Sequence, residues 1–580
     1  MSTSPPALDP ITLEVLHNSL RSIADESYIA LMKSAYSTNI KERRDHSTGL
    51  MDARGNTVVQ AEHTQAVHLS SMLGNVEAIL DAYDASDMAE GDIFISNDPY
   101  AAKGSHLPDV NFAMPVFVDG ELLAFSCNIA HHADIGGMSP GSMSSSMTEI
   151  YQEGVRMPVV RLFRGGELVN DVFDLILLNV RLPEERRGDY FAQVAACRLG
   201  EQRLKALARA NGVGALKATF QEVMARTEMR LRRAVKTIPD GEYAFEDRMD
   251  DDGGDARDIP IKLKVTVAGD RLAFDFTGTA PQVRGNINCP LNATVASVCY
   301  TVKALLDPDV ANNQGLINAV DVTAEPGTLV HSTFPAAVAY RSHTTQRIID
   351  VVMGAMAQVL PEAVLAASNG SNTTAIFSGV DPRTDKPYLY LETYGGGCGA
   401  RSFKDGKDGV QQHIANTANL PVEAIEKEYP LIVEEYSLAS DTGGAGKYRG
   451  GLALKRVIRP LDHSCLFTGA GERFRNPPWG LFGGRAGAIG RFMQVEDGGH
   501  ETLLPTKPAP MACGPHQKIV IQSPGAGGYG DPAGRDPARL AVDWHSGKFS
   551  QAYMADGYGL DRNALDTLPR DEDALDYVED

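Results

Sequence analysis

The chain has 580 residues, 43% of them hydrophobic and 22% charged, with a formal net charge of −21. That composition belongs to a globular protein with apolar material for sizeable cores, and the length predicts roughly three to four domains, or fewer large ones. The acidic balance argues against a nucleic-acid partner, which would want a basic patch. No run approaches the roughly 18–20 consecutive apolar residues of a membrane-spanning helix.

In chain order, the opening "MSTSPPALDP" has no basic stretch followed by an apolar one, so no signal peptide is expected and the predicted location is cytoplasmic. The seven cysteines are dispersed with no CxxC pair, a pattern that suits reduced buried thiols and not a disulfide framework. Residues 9–37 read as a helix: Asp9 is the N-cap, Pro10 suits the first position, and Leu13, Leu16, Leu20 and Ile23 recur at helical spacing. From about 45 to 180 short strands alternate with turn residues, and "VDGELLAF" carries an Asp-Gly hairpin signal.

Residues 183–236 are predicted helical, "IPIKLKVTVAGDRLAFDFTGT" reads as paired strands, and an amphipathic helix is predicted over about 343–360. Beyond 390 glycine is dense ("YGGGCGARSFKDG", "DTGGAGKYRGGL", "SPGAGGYGDP"). This predicts a β-rich region whose tight turns need φ > 0. None of these runs fits a P-loop or a dinucleotide fingerprint, although phosphate binding is the alternative reading. The acidic end predicts a surface helix or a frayed tail.

The fold class expected is a large multi-domain mixed α/β (α+β) chain. It divides into an N-terminal αβ region at 1–180 bearing a metal site, a helical segment at 181–240 and an α/β middle domain at 241–390. A Gly-rich β-rich domain at 391–535 and an acidic tail at 536–580 complete it.

Chemistry concentrates early. Six of the fourteen histidines lie between residues 46 and 132. "SHLPD" holds His106 and Asp109 on one short link stiffened by Pro108. "NIAHHADIGG" sets His131, His132 and Asp134 at the end of an apolar run. Imidazole and carboxylate together suit Zn²⁺, Mn²⁺ or Fe²⁺, and a two-His-one-carboxylate shell leaves room for water and substrate. Loop histidines that are merely hydrogen-bonded give the same spacing. In "IKERRDHSTGLMD", Asp45 reads either as solvated charge or as a carboxylate at such a site. No G-x-S-x-G elbow supports a serine nucleophile, and the serine-rich "SPGSMSSSMTE" reads equally well as a mobile loop.

The succession "NIKERRDHSTGLMDARGNTVVQAEH", "VHLSSM", "GDIFISNDPYAAKGSHLPDV", "NIAHHADIGGMSPGSM", "FDFTGTAPQVRGNIN", "GGAGKYRGGLAL" and "SPGAGGYGDP" resembles the hydantoinase B/oxoprolinase family over about residues 9–535. The resemblance implies a two-component enzyme. A separate A-type subunit of the actin-like ATPase superfamily would use ATP and magnesium to phosphorylate an amide or carbonyl oxygen. This B-type chain would hold one divalent metal and complete hydrolysis of a small cyclic amide, in an α2β2 heterotetramer. The implied ligands are His106, Asp109 and His131, with Asp45 as ligand or orienting group, and His132 and Asp134 become candidates for proton transfer. Two departures from the family pattern, His46 and Cys398, would then tune the substrate pocket. A ketone carboxylase subunit and a non-catalytic scaffold are the competing readings.

Overall fold

The computed structural model describes residues 9–569. The predicted absence of a leader at 1–8 and the last part of the acidic tail, 570–580, lie outside them. Asp9 caps the first helix as expected, its carboxylate accepting the N–H groups of Ile11 and Thr12 at 3.0 Å. The helix runs Pro10–Ser34 and stops where Ala35 turns extended.

Next comes a seven-stranded sheet of β1 (His46–Asp52), β2 (Thr57–Gln60), β3 (Ile93–Ser96), β4 (Asp109–Val118), β5 (Glu121–His131), β6 (Val160–Arg164) and β7 (Glu167–Leu168). The spatial order is β2-β1-β5-β4-β3-β6-β7, so β1, β5 and β4 are neighbours inside it. The Asp-Gly signal is correct: Asp119 and Gly120 join β4 to β5 with φ of 51° and 83°, both positive, as a two-residue hairpin of matching twist needs. The sheet is covered on both faces. Met72, Val76 and Ile79 of the Leu69–Ala82 helix pack on one side. Tyr190, Val194 and Cys197 of the Pro183–Asn211 helix pack on the other. This double burial explains why β4 is nearly continuously apolar and does not alternate.

The predicted helical stretch is two helices, Pro183–Asn211 and Val213–Val235, broken at Gly212, whose φ of 87° a side chain would resist. A second sheet, in the order β11-β10-β9-β8, contains β8 (Gly241–Asp251), β9 (Arg257–Ala268), β10 (Arg271–Asp275) and β11 (Asp321–Thr323). Ile261, Leu263, Val265 and Val267 alternate inward from β9 onto the helix Arg341–Met356. That helix was expected to be amphipathic, yet all of its residues are buried, including Arg341, His343, Arg347 and Asp350. Ion pairs to Asp109, Asp247 and Arg473 take the place of solvent for Arg341, Arg347 and Asp350, and the Asn372 N–H donates to His343 Nδ1.

The Gly-rich region contains a five-stranded sheet and shares a four-stranded one with the preceding stretch, whose strands Thr374–Asp381 and Lys386–Thr393 pair beside Cys465–Ala470 and Met511–Cys513. Many of its glycines serve close backbone approach, where positive φ was expected. A Cβ on Gly450 would lie 1.9 Å from the carbonyl oxygen of Ala526. In the last described stretch, Leu540, Phe549, Met554 and Leu565 close over Leu452. All seven cysteines are free and buried. No helix among the described residues is long and apolar enough to cross a membrane.

Candidate metal centre

Asp109 opens β4 and His131 closes β5, and antiparallel register sets the two directly opposite. Asp45 immediately precedes β1, and its carbonyl oxygen accepts the His131 N–H at 3.0 Å. Three adjacent strands of the first sheet therefore deliver their ends to one place, which the loop 97–108 overhangs. Asn97 holds that loop, donating from Nδ2 to the carbonyl oxygens of Leu107 (2.8 Å) and Val155 (2.9 Å).

The donor atoms of His106, Asp109 and His131 all lie within 4.8 Å of one another, and all three residues are buried. His106 Nδ1 is 2.9 Å from the carbonyl oxygen of Ala339, an acceptor only, so Nδ1 carries the proton. Burial, and then the Arg341 cation, push His106 down to about 4, so the ring is neutral near pH 7 and Nε2 bears a lone pair. That atom faces Asp109 Oδ1 at 3.0 Å and has no hydrogen-bond partner within the protein. His131 Nδ1 lies 3.2 Å from the same oxygen, and its Nε2 is also unpartnered.

Asp109 Oδ2 is already engaged: Ser105 Oγ donates to it at 2.6 Å and the Arg341 guanidinium pairs with it. Burial opposes ionisation of Asp109, but the Arg341 cation beside it outweighs burial and holds the carboxyl well below the usual range. An anionic oxygen against a bare imidazole lone pair is repulsive unless a cation lies between them. This N, N, O donor set fits a divalent zinc, manganese or iron ion.

Asp45 stands beyond the compact three. It reaches them through His68, whose Nε2 is 3.5 Å from Asp45 Oδ1 and 3.7 Å from Asp109 Oδ1. Ser47 Oγ, at 2.8 Å from His68 Nδ1, steadies the ring. Around these groups is a cavity of about 40 Å³, room for only a few waters. Val67, Met143, Leu391 and Ile414 form its apolar wall, and Gln346 and Asn372 also line it. Gln346 Nε2 donates to the Gln412 carbonyl oxygen at 3.0 Å, which leaves Gln346 Oε1 as an acceptor without a partner within the protein.

His132 and Asp134 do not line this cavity. Successive residues of an extended chain project to opposite faces, so His131 facing the cavity turns His132 away. The His132 ring stacks on Tyr190 at 4.5 Å and bonds Gln193 Oε1 at 2.8 Å. Asp134 pairs with Arg181 at 2.8 Å. Neither departure from the family pattern reaches the cavity: His46 stacks on Tyr28 at 4.1 Å, and Cys398 is buried among glycine loops. The serine-rich segment is not a free loop. Ser142 Oγ accepts from the Ile135 N–H at 2.8 Å and donates to the Gly136 carbonyl oxygen at 2.9 Å, fixing Met143 against the cavity.

His68, Arg341 and Gln346 are the residues that sequence reasoning did not single out. His68 at least sits in the histidine-rich stretch; nothing local marks the other two.

A hydantoinase B/oxoprolinase family profile matches residues 9–532, and the chain belongs to that family. It is 30% identical over 560 residues to the caprolactamase subunit beta of Pseudomonas jessenii, covering 94% of each chain. Among solved structures it resembles the ATP-dependent caprolactamase of Pseudomonas jessenii, with a TM-score of 0.90 and 27% identity over 98% of this chain and 99% of that one. It also shares its fold with acetone carboxylase in a nucleotide-free structure, with a TM-score of 0.88 and 18% identity over 98% of this chain and 82% of that one.

Proposed function

We propose that this chain is the metal-bearing B-type subunit of an ATP-dependent cyclic-amide hydrolase, opening a lactam or hydantoin ring in the cytoplasm. A separate A-type ATPase subunit, in an α2β2 assembly, would carry ATP and magnesium and phosphorylate the ring carbonyl oxygen. The observation that carries the reading is the bare His106 Nε2 facing Asp109 Oδ1 beside His131.

A divalent ion held by His106, Asp109 and His131 would act as a Lewis acid and lower the pKa of water toward neutrality. The chain's own groups do the rest. Arg341 and Ser105 occupy Asp109 Oδ2 and so aim Oδ1 at the histidines. The Ala339 carbonyl holds His106 in the tautomer that presents Nε2. Asp45 orients through His68, and His68, between the two carboxylates, is better placed to move a proton than His132 or Asp134. The apolar wall keeps bulk water from the reacting carbon.

Gln346 Oε1 favours an amide over a ketone. A cyclic amide offers a ring N–H to this buried acceptor, and a ketone would leave it unsatisfied at a cost of about 1–3 kcal/mol. The shared fold with acetone carboxylase nonetheless keeps an ATP-dependent ketone carboxylase subunit as the second reading. The test is turnover of hydantoin, 5-oxoproline and caprolactam by the purified complex with ATP, with and without bicarbonate. Ring opening without bicarbonate supports hydrolysis; ketone turnover that requires bicarbonate overturns it. His106→Ala should abolish both metal content and ring opening, whereas full activity in that variant would favour a scaffold.

A further inference from the structure

Glu153 is fully buried just beyond the short turn Ile150–Gln152, outside the cavity that His106, Asp109 and His131 line. Its Oε1 accepts two consecutive backbone N–H groups, those of Val338 and Ala339, each at 2.7 Å. Its Oε2 has no partner within the protein. A residue that only filled space here would be apolar, since a carboxyl with one bare oxygen is costly to bury.

What the carboxyl gains is a grip on the two residues that lead into the Arg341–Met356 helix. Ala339 presents its carbonyl oxygen to His106 Nδ1 at 2.9 Å, and Arg341, two residues on, pairs with Asp109. The surrounding backbone supports the grip. The Ile150 N–H donates to the Pro335 carbonyl oxygen at 3.0 Å, and a Cβ on Gly137 would lie 2.7 Å from the Glu153 carbonyl carbon.

We propose that Glu153 is a positioning residue for the metal centre. By holding the Val338–Ala339 amides it points the Ala339 carbonyl at His106, fixes that ring with Nε2 toward Asp109, and sets the start of the helix that carries Arg341. This rests on the metal reading above, and it adds a contact two steps removed from the ligands. Groups that orient a ligating histidine typically change metal affinity by about 10–100-fold when removed.

The experiment is calorimetric titration of Zn²⁺ into the metal-stripped full chain, with circular dichroism to confirm folding. Glu153→Gln keeps an acceptor oxygen and should bind within about threefold of wild type. Glu153→Leu removes it and should bind about 10–100-fold more weakly. Should the leucine variant fail to fold, Glu153→Asp serves the same end, because its shorter side chain keeps the carboxyl but withdraws it from both amides; a loss of about tenfold is expected. Wild-type affinity in Glu153→Gln beside the loss in Glu153→Leu, at matched circular dichroism, is an outcome a general packing role would not give. Undiminished Zn²⁺ affinity in both the Leu and Asp variants, or an equal loss in the Gln and Leu variants, overturns the proposal. Absence of Zn²⁺ binding by the wild-type chain would instead overturn the metal reading on which it rests.

Discussion

Asp109 and His131 face each other across the ends of β4 and β5, with His131 Nδ1 3.2 Å from Asp109 Oδ1. The pairing comes from strand register, and a slip of one residue would carry His131 to the opposite face. Asp109→Asn keeps the shape but halves the acceptor capacity and removes the charge. Metal content, measured by elemental analysis of the purified chain, should fall below one tenth of wild type while the melting temperature stays within a few degrees. Wild-type metal content in this variant would show that the aspartate is not a ligand.

Arg341 is the cation that keeps Asp109 ionised in a buried setting. In Arg341→Met the carboxyl of Asp109 should titrate at higher pH, because an attractive charge is gone while burial persists. Zn²⁺ uptake measured across pH 4–8 should then shift to higher pH and weaken about 10–100-fold at its plateau. An unchanged uptake curve would remove Arg341 from the account.

His132 and Asp134 should separate stability from metal binding. His132→Phe retains the stack on Tyr190 but strands Gln193 Oε1, costing about 1–3 kcal/mol of stability. Thermal melting should register this while Zn²⁺ affinity remains that of wild type. A selective loss of turnover with melting unchanged would restore the proton-transfer role first expected of His132.

Gln346→Leu tests recognition of a ring N–H. Wild type should prefer a cyclic amide with a free N–H over its N-methyl analogue, and the leucine variant should narrow that ratio by about tenfold, in line with one buried hydrogen bond. Equal kcat/KM ratios in the two proteins would assign Gln346 to packing alone.

Away from the site, Asp247 pairs with Arg473 at 2.7 Å and Arg347 at 3.5 Å, joining β8 to the Gly-rich region and the buried helix. Burial would raise its pKa, but Arg473 and Arg347 hold it down at about 2. The resulting stability is complete above the unfolded value near 3.8 and is lost as pH falls through about 2, on the order of 2 kcal/mol. Melting curves between pH 5 and 2 should therefore slope less steeply for Asp247→Asn than for wild type. Parallel slopes would show that other carboxylates dominate acid unfolding.

Local signals were legible wherever the physics is local. The Asp9 cap, the Asp119-Gly120 hairpin, the paired strands around Gly269 and the closeness of His106 to Asp109 all depend on a few neighbouring residues. The serine-rich segment and the helix at 341–356 were misread as mobile and amphipathic. Their burial depends on partners more than a hundred residues away, such as Asn286 Nδ2, which donates to the Ser144 carbonyl oxygen at 2.7 Å.

By itself the sequence determined the mixed architecture, the family and three of the groups at the centre, because strand, turn and ligand patterns are written in short spans. Only the tertiary structure decided which of two adjacent histidines turns inward, that His68 lies between Asp45 and Asp109, and that Arg341, 232 residues from Asp109, anchors its carboxylate. Those outcomes follow from pleat, register and the long-range seating of a buried helix, none of which short-range spacing encodes.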